Sequence, residues 1–191
     1  ATRPDAVTRR GPTSPDLLLA AARAEFARHG AGGARTATIA TRAGVNKQLL
    51  HYYFGTKQAL YRATLEGAAR EVAEGLARLP LVGLTAVERI RRLFRGQFDL
   101  LADREELTRL LLGAETDGTW VDTSLGPITT LLTEGQATGF FRDDIEPVQY
   151  ARTSLLLHLG YFSLGSVTAN WGPRAAWRDR TTELLVRGCT W

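Results

Sequence analysis

Apolar residues recur at intervals of three and four positions along most of the chain, a pattern typical of amphipathic α-helices. In the first such segment Leu18, Ala22 and Phe26 share one face. The segment begins at residues 14–16, where Ser and Pro suit the cap and the first helical position, and Gly30 supplies a stop. No segment of useful length alternates with a period of two, so no sheet is expected and the sequence predicts an all-α fold.

Capping residues and helix breakers delimit the remaining helices. Thr56 and Thr85 are suited to cap long helices, and Thr85 with Glu88 has the sequence pattern of a capping box. Gly126 and Pro127 interrupt an otherwise helical segment, so a break is expected there. The predicted helices after the first cover residues 36–43, 47–53, 56–79, 85–101, 105–115, 121–138, 147–166 and 173–188, with a turn at 139–146.

Two of these helices, 36–43 and 47–53, are joined by a turn that contains Gly44 and form a helix-turn-helix unit. Asn46 is suited to cap the second helix, which is short enough to enter a groove about 12 Å wide. Its solvated side carries Lys47, Gln48, His51 and Tyr52. Glutamine can bond adenine through two hydrogen bonds, and lysine can reach guanine or phosphate. The pattern favours DNA binding, and a purely structural helical hairpin is the alternative.

The positive charge of the chain is concentrated in its first third. The 191 residues carry a net charge of +4, but residues 1–57 hold nine Lys or Arg against three Asp or Glu. Both lysines of the chain, Lys47 and Lys57, lie in this part. Such an excess is expected of a small module that contacts phosphates, although a solvated basic face without a partner has the same composition. Residues 1–13 have no apolar period and are predicted to be a flexible basic arm.

Composition indicates a cytoplasmic protein. Cys189 is the single cysteine, which excludes an internal disulfide framework and fits a reducing compartment. No stretch reaches about 18 consecutive apolar residues, the length at which a membrane span becomes plausible. The first residues are basic but lack the apolar centre of a signal peptide, and the first residue is not Met, so we expect that translation starts upstream.

Enzymatic chemistry finds no support in the sequence. The three histidines, at positions 29, 51 and 158, are far apart and lack the spacing of metal ligands. Cys189 has no obvious neighbouring base, and no phosphate-binding loop or nucleophile elbow is present. We therefore expect no catalytic site, no metal and no cofactor.

The run from Ile39 to Lys57, IATRAGVNKQLLHYYFGTK, resembles the N-terminal signature of the TetR family of bacterial transcriptional repressors. That signature is approximately I-A-x-x-A-G-V-S-x-x-x-L-Y-x-x-F-x-x-K-x-x-L, and Leu60 fills its last position. The first helix also matches at Ala21, Ala22, Phe26 and Gly30, so the resemblance covers about residues 14–65. It implies a three-helix DNA-binding domain at 14–55 and a larger helical domain for effector binding and dimerisation at 56–191.

Three residues depart from the family pattern. Asn46 stands where serine is commonest and can cap equally well, whereas His51 replaces the usual tyrosine and has a shorter reach. Arg35 occupies the position of the usual Thr or Ser cap, so we expect Thr36 to cap the helix and Arg35 to be free to contact DNA. The predicted DNA-binding residues are Arg35, Thr36, Asn46, Lys47, Gln48, His51, Tyr52 and Lys57.

The resemblance also implies a homodimer, because family members pair their last two helices with those of a second copy in a four-helix bundle. The segment 147–166 is apolar on nearly every side and has small residues that permit close helix approach. A monomeric core helix is the alternative. The predicted dimer interface comprises Leu156, Gly160, Ser163, Trp177, Leu184 and Leu185.

Family members further hold a small-molecule pocket among their middle helices. The candidate wall residues here are Phe94, Phe98, Leu101, Leu110, Trp120, Tyr150, His158 and Tyr161. Core packing is the competing interpretation for each of them, and His158 is interpreted as a hydrogen-bonded core histidine. The resulting prediction is a repressor that a small apolar effector releases from a palindromic double-stranded DNA operator. The alternatives are a DNA-binding protein without an effector, or a helical small-molecule-binding protein or enzyme.

Overall fold

A computed structural model describes residues 14–114 and 118–191, apart from the side chain of Thr119. The described residues form helices and no strand, which confirms the all-α prediction. The helices are α1 (Ser14–Gly33), α2 (Thr36–Arg42), α3 (Lys47–Phe54), α4 (Lys57–Ala77), α5 (Ala86–Asp103), α6 (Glu105–Leu112), α7 (Thr119–Ala137), α8 (Pro147–Ser163), α9 (Gly165–Thr168) and α10 (Arg174–Cys189). The predicted arm at 1–13 and the predicted helix end at residue 115 lie outside the described residues.

The chain divides into two compact units, and the division falls after Thr64. It therefore lies inside α4 and not at the predicted position before residue 56. The start of α4 belongs to the first unit because it packs against α1: the rings of Phe26 and Tyr61 lie 4.8 Å apart in an edge-to-face arrangement. Lys57 adds hydrogen bonds to carbonyl groups at the end of α1.

Local capping chemistry sets the helix ends of the first unit. Gly30 has φ of 66° and interrupts the helical geometry of α1 at the predicted stop. The side chain of Asn46 accepts a hydrogen bond from the amide of Leu49 at 2.7 Å, as predicted for the start of α3. The amide of Ala59 donates to Oγ1 of Thr56 at the start of α4.

The second unit is built around α5, which contacts α7, α8 and α10. The capping box of Thr85 and Glu88 is present at its start, as predicted. Its core face is buried and includes Ile90, Leu93, Phe94, Phe98 and Leu101. The apolar period of three and four therefore identified the central helix of this unit.

Two predicted boundaries in the second unit are wrong. The helix α7 continues through Pro127 instead of breaking there, because Leu125, Ile128 and Leu132 are fully buried on both sides of the proline and hold the helix in place. The helix predicted at 147–166 ends at Ser163, and α9 follows as a separate single turn. Within the described residues, no helix is both long and apolar enough to cross a membrane.

Candidate functional site

The α2–α3 hairpin is held to the first unit by its apolar residues. Ile39, Ala40 and Leu50 are buried, and the amide of Val45 donates to the carbonyl of Ala40 at 3.0 Å across the turn. Gly44 in this turn has φ of 69°, a conformation that other residues rarely adopt. These contacts therefore fix the position of α3 relative to the rest of the first unit.

Four of the predicted DNA-binding side chains lie together on α3. Lys47, Gln48, His51 and Tyr52 are all exposed, and Tyr52 retains 80% of its accessible surface. Residues four positions apart fall on the same side of a helix, so Lys47 with His51 and Gln48 with Tyr52 form two neighbouring rows of one polar surface. We call Lys47, Gln48, His51 and Tyr52 the reading face.

The expected cap of α2 is wrong. Arg35 is the N-cap residue and Thr36 is the first helical residue, and no side chain of the cap position bonds the free amides. Instead Oε1 of Glu25, a buried carboxylate on α1, accepts from the amide of Arg35 at 3.2 Å. Oε2 of Glu25 also lies 4.0 Å from Arg42 on α2. The Arg35 residue is exposed, so the predicted contact of Arg35 with DNA stays a prediction.

Sequence reasoning missed Glu25. The sequence feature that could have revealed Glu25 is its position next to Phe26, in a helix whose residues Ala21 and Ala22 are also buried. A carboxylate at such a position is rarely buried unless it is paired, so it pointed to a partner elsewhere in the fold. Glu25 therefore positions the start of α2 while its own side chain stays buried.

Lys57 has a structural role besides the one predicted for it. Its Nζ donates to the carbonyl oxygens of Gly32 at 2.9 Å and Ala34 at 3.0 Å. Two of its three donor protons are therefore directed at the end of α1. Contact of Lys57 with a phosphate stays a prediction that rests on the remaining proton.

His51 is oriented by its own helix end. Its Nδ1 lies 2.9 Å from the carbonyl oxygen of Gly55, which can only accept, so Nδ1 carries a proton. The neutral ring then has a lone pair at Nε2 and accepts there. It donates to a phosphate oxygen only when the ring is protonated at both nitrogens.

Among the described residues, the side chains predicted to wall an effector pocket lie partly in a packed aromatic core and partly beside two separate cavities. Phe98 packs on Tyr161, Phe162 and Trp177 with ring centroids 5.3, 5.1 and 5.6 Å apart. We call Phe98, Tyr161, Phe162 and Trp177 the aromatic cluster. Trp177, predicted at the dimer interface, belongs to this cluster because its ring lies 4.5 Å from that of Tyr161.

The remaining predicted pocket residues are distributed over the second unit. Phe94 and Leu110 are buried in the core, and the hydroxyl of Tyr150 donates to the carbonyl of Leu185 at 2.6 Å. Burial raises the pKa of Tyr150 to about 12. Leu101 and Phe162 border a cavity of about 390 Å³ at the end of α5, and Trp120 borders another of about 590 Å³ between α6, α7 and α8.

His158 is a hydrogen-bonded core histidine, as interpreted from the sequence. Its Nδ1 lies 2.8 Å from Oε1 of Gln97, and the ring is fully buried. Burial lowers the pKa of His158 to about 4, because the charged imidazolium would lose its hydration. The histidine is therefore neutral at physiological pH.

The predicted dimer residues separate into exposed and buried groups. Leu156 on α8 and Leu184 on α10 retain 69% and 64% of their accessible surface, and Ser163 is also exposed. Leu185 retains only 4%, so it is part of the protomer's own core and its assignment to an outer face is wrong. The helical period explains this, because adjacent residues point about 100° apart.

No group of three or more His, Cys, Asp or Glu side chains within the described residues is arranged to hold a metal ion. Cys189 is a buried free thiol, and burial raises its pKa to about 11. A thiol with so high a pKa is a poor nucleophile at neutral pH.

Known proteins resemble this chain most strongly in its first unit. The family model for bacterial regulatory proteins of the tetR family matches residues 18–64. HTH-type transcriptional repressor SCO4008 from Streptomyces coelicolor is 46% identical over 56 residues, which are 29% of this chain and 29% of that protein. HTH-type transcriptional repressor NicS from Pseudomonas putida is 27% identical over 141 residues, which are 68% of this chain and 66% of that protein. The chain thus matches less than two thirds of the length of either repressor.

Solved structures resemble nearly the whole chain. The transcriptional regulator FadR from Bacillus subtilis, solved in complex with stearoyl-CoA, has a TM-score of 0.75 and 18% sequence identity. The match covers 90% of this chain and 97% of that chain. At this identity the likeness shows a shared fold.

Proposed function

Because this chain belongs to the TetR family of bacterial regulatory proteins, we propose that it is a transcriptional repressor that binds operator DNA through the reading face of α3. The observation that carries this proposal is the grouping of Lys47, Gln48, His51 and Tyr52 on one exposed side of a short helix. A helix of this kind fits the major groove, which is about 12 Å wide and displays a distinct pattern of donors and acceptors for each base pair.

Each side chain of the reading face has a role that follows from its chemistry. Gln48 can make two hydrogen bonds to the edge of an adenine and thereby select a base. Lys47 and Tyr52 can bind phosphate oxygens and set the register on the duplex. The ammonium of Lys47 has no ion-pair partner in the described parts of the chain, so its charge is available for phosphate.

A salt titration tests the proposal directly. DNA selected from a random pool is titrated with the full chain at several salt concentrations, and the slope of log affinity against log salt is measured. Lys47→Ala should make this slope shallower by about one unit for each bound protomer, because each protomer releases one fewer counterion. Arg78→Ala removes an exposed arginine of the second unit and serves as the control. Equal slopes for wild type and Lys47→Ala would contradict the assignment.

We further propose that the repressor is a homodimer on a near-palindromic operator. The exposed Leu156 and Leu184 support this, because large apolar side chains on an outer helix face favour a partner. A two-fold dimer would place two reading faces on half-sites roughly 34–36 Å apart.

An effector that releases the operator is the remaining part of the proposal. It is supported by analogy with FadR, whose solved structure holds stearoyl-CoA. A ligand changes DNA affinity only if it binds the DNA-competent and incompetent conformations unequally. The close packing of the aromatic cluster favours a second candidate, a DNA-binding protein without an effector. A ligand that weakens operator binding would exclude that candidate.

A further inference from the structure

A buried polar cluster lies where α5 meets α8, inside the otherwise apolar second unit. Gln97, Ser154 and His158 are all fully buried. Oε1 of Gln97 accepts from Oγ of Ser154 at 3.0 Å, and Nδ1 of His158 lies 2.8 Å from the same oxygen. Because a carboxamide oxygen only accepts, Nδ1 of His158 carries the proton and its Nε2 has a lone pair.

Two atoms of this cluster have no hydrogen-bond partner within the part of the chain that the structure describes. They are Nε2 of Gln97, which is a donor, and Nε2 of His158, which is an acceptor. Buried polar atoms without partners are rare in native proteins and demand an explanation. A ligand that carries both an acceptor, such as a carbonyl group, and a donor, such as an N–H or O–H group, could pair with both atoms.

The surroundings of the cluster favour a flat aromatic molecule. The ring of His158 contacts that of Phe98 edge to face, with centroids 5.5 Å apart, and Phe98 is the centre of the aromatic cluster. Aromatic rings pack favourably on one another at such distances. Phe162 joins this cluster and also borders the cavity of about 390 Å³, so the cavity lies against the aromatic cluster.

We propose that Gln97 and His158 bind the polar groups of an uncharged aromatic ligand, whose rings pack against the aromatic cluster from the side of the adjoining cavity. The ligand carbonyl accepts from Nε2 of Gln97, and its N–H or O–H donates to Nε2 of His158. This inference rests on the proposed function, because the ligand would be the effector. An anion is disfavoured, since Gln97, Ser154 and the neutral His158 supply no positive charge to replace its hydration.

Three probes that share one ring system test the recognition: 2-naphthamide, naphthalene and 2-naphthoate. Their dissociation constants for the full chain are measured by calorimetry at neutral pH without DNA. The amide should bind about tenfold tighter than naphthalene, as two added hydrogen bonds predict, and also tighter than the carboxylate. Equal binding of amide and hydrocarbon, tighter binding of the carboxylate, or binding of none of them would overturn the proposal.

Variants distinguish ligand recognition from a structural role. The double variant Gln97→Leu/His158→Phe removes both unpaired atoms, so its melting temperature should be retained or raised. Its dissociation constants for 2-naphthamide and naphthalene should differ by less than about twofold, which means that the preference for the amide is lost. A purely structural cluster would instead show a lowered melting temperature and an unchanged preference. Thr182→Val removes a buried hydroxyl of α10 that has no hydrogen-bond partner among the described residues, so it is the matched control and should retain the preference.

The single variant Gln97→Met provides an independent test if the double variant does not fold. It retains side-chain length and removes the donor, so the amide preference should fall several-fold, and an unchanged preference would contradict the proposal. Because no DNA is present, the result is separate from operator binding. A chain that binds operator but shows no amide preference contradicts this inference alone, and ordered water then occupies the cluster. A chain that prefers the amide but binds no operator contradicts the DNA proposal alone.

Discussion

The two units of this chain place their informative polar groups in opposite environments. In the first unit Lys47 and Gln48 are exposed on the outside of α3. In the second unit Gln97 and His158 are fully buried, and each has one atom without a partner in the described residues. Exposed polar side chains can contact a large polar surface such as a DNA groove. Buried polar side chains can contact only a small molecule that replaces their neighbours in the core.

Lys47 of the first unit and two arginines of the second unit differ in a related way. In the second unit Arg91 pairs with Glu183 and Arg95 with Asp179, each at 2.7 Å, and both pairs link α5 to α10. A hydrogen bond from Arg91 lowers the pKa of Glu183, and hydrogen bonds from Arg178 and Arg95 lower the pKa of Asp179. In the first unit the ammonium of Lys47 has no such partner among the described residues. The charge of Lys47 is thus available for phosphate, whereas the charges of Arg91 and Arg95 are paired within the second unit.

The largest expected effect concerns the two neighbouring leucines of α10. Leu185→Glu places a carboxylate in the core, so we expect loss of several kcal/mol of folding free energy and an unfolded chain. Leu184→Glu changes an exposed side chain, so the protein should stay folded but become monomeric and lose most of its specific DNA affinity. Thermal melting and sedimentation measure these outcomes. A monomeric wild type at micromolar concentration would contradict the dimer.

Acid should destabilise the second unit through His158. Its pKa is about 4 in the folded protein against an ordinary 6.5, so the unfolded chain binds a proton between these values that the folded chain does not. The corresponding stability is fully present above pH 6.5 and is lost as the pH falls to 4, by about 3 kcal/mol. Denaturant unfolding of wild type and His158→Phe across this range measures it, and His29→Gln is the control. Parallel curves for wild type and His158→Phe would refute the assignment.

Overpacking near the aromatic cluster should act like an effector. Leu101→Trp adds volume beside the cavity of about 390 Å³, and we expect operator affinity to fall about 5–150-fold while the dimer persists. Val82→Trp, at a position with 98% of its surface exposed, is the control. Operator titration is combined with thermal melting. A stable dimer of Leu101→Trp with unchanged affinity would support the candidate without an effector.

The smallest expected effect is a difference in the free energy of unfolding between variants of the two lysines. Lys57→Ala removes two hydrogen bonds to the end of α1 and should lower the free energy of unfolding by about 1 kcal/mol. Lys47→Ala removes no bond within the described residues and should change it by less than about 0.5 kcal/mol. Denaturant midpoints of the two variants make the comparison. Equal midpoints would show that Lys57 does not support the fold.

The sequence predicted features that depend on residues close together in the chain, and it missed features that depend on contacts between distant segments. The start of α3 at Asn46 and the capping box at Thr85 depend on atoms within a few residues, so local rules found them. The contact of Glu25 with Arg35 and the continuity of α7 through Pro127 depend on packing between distant segments. Sequence patterns do not encode such contacts directly.

The same distinction applies to the candidate sites. Helical periodicity placed the reading face on one side of α3 because exposure of a short helix is a local property. It also placed Leu184 and Leu185 on one interface, although they point in different directions. The pairing of Gln97 with His158 joins two helices, and the sequence named His158 but not its partner.

Selection of bound DNA from a random pool tests the central claim, that the reading face of α3 recognises an operator. Wild type should enrich a near-palindromic sequence whose half-sites are about 10 base pairs apart. Gln48→Ala should lose the preference at one position of each half-site, at about 1–3 kcal/mol, and keep the rest of the pattern. Failure of the wild type to enrich any sequence, or an identical pattern for Gln48→Ala, would contradict the claim.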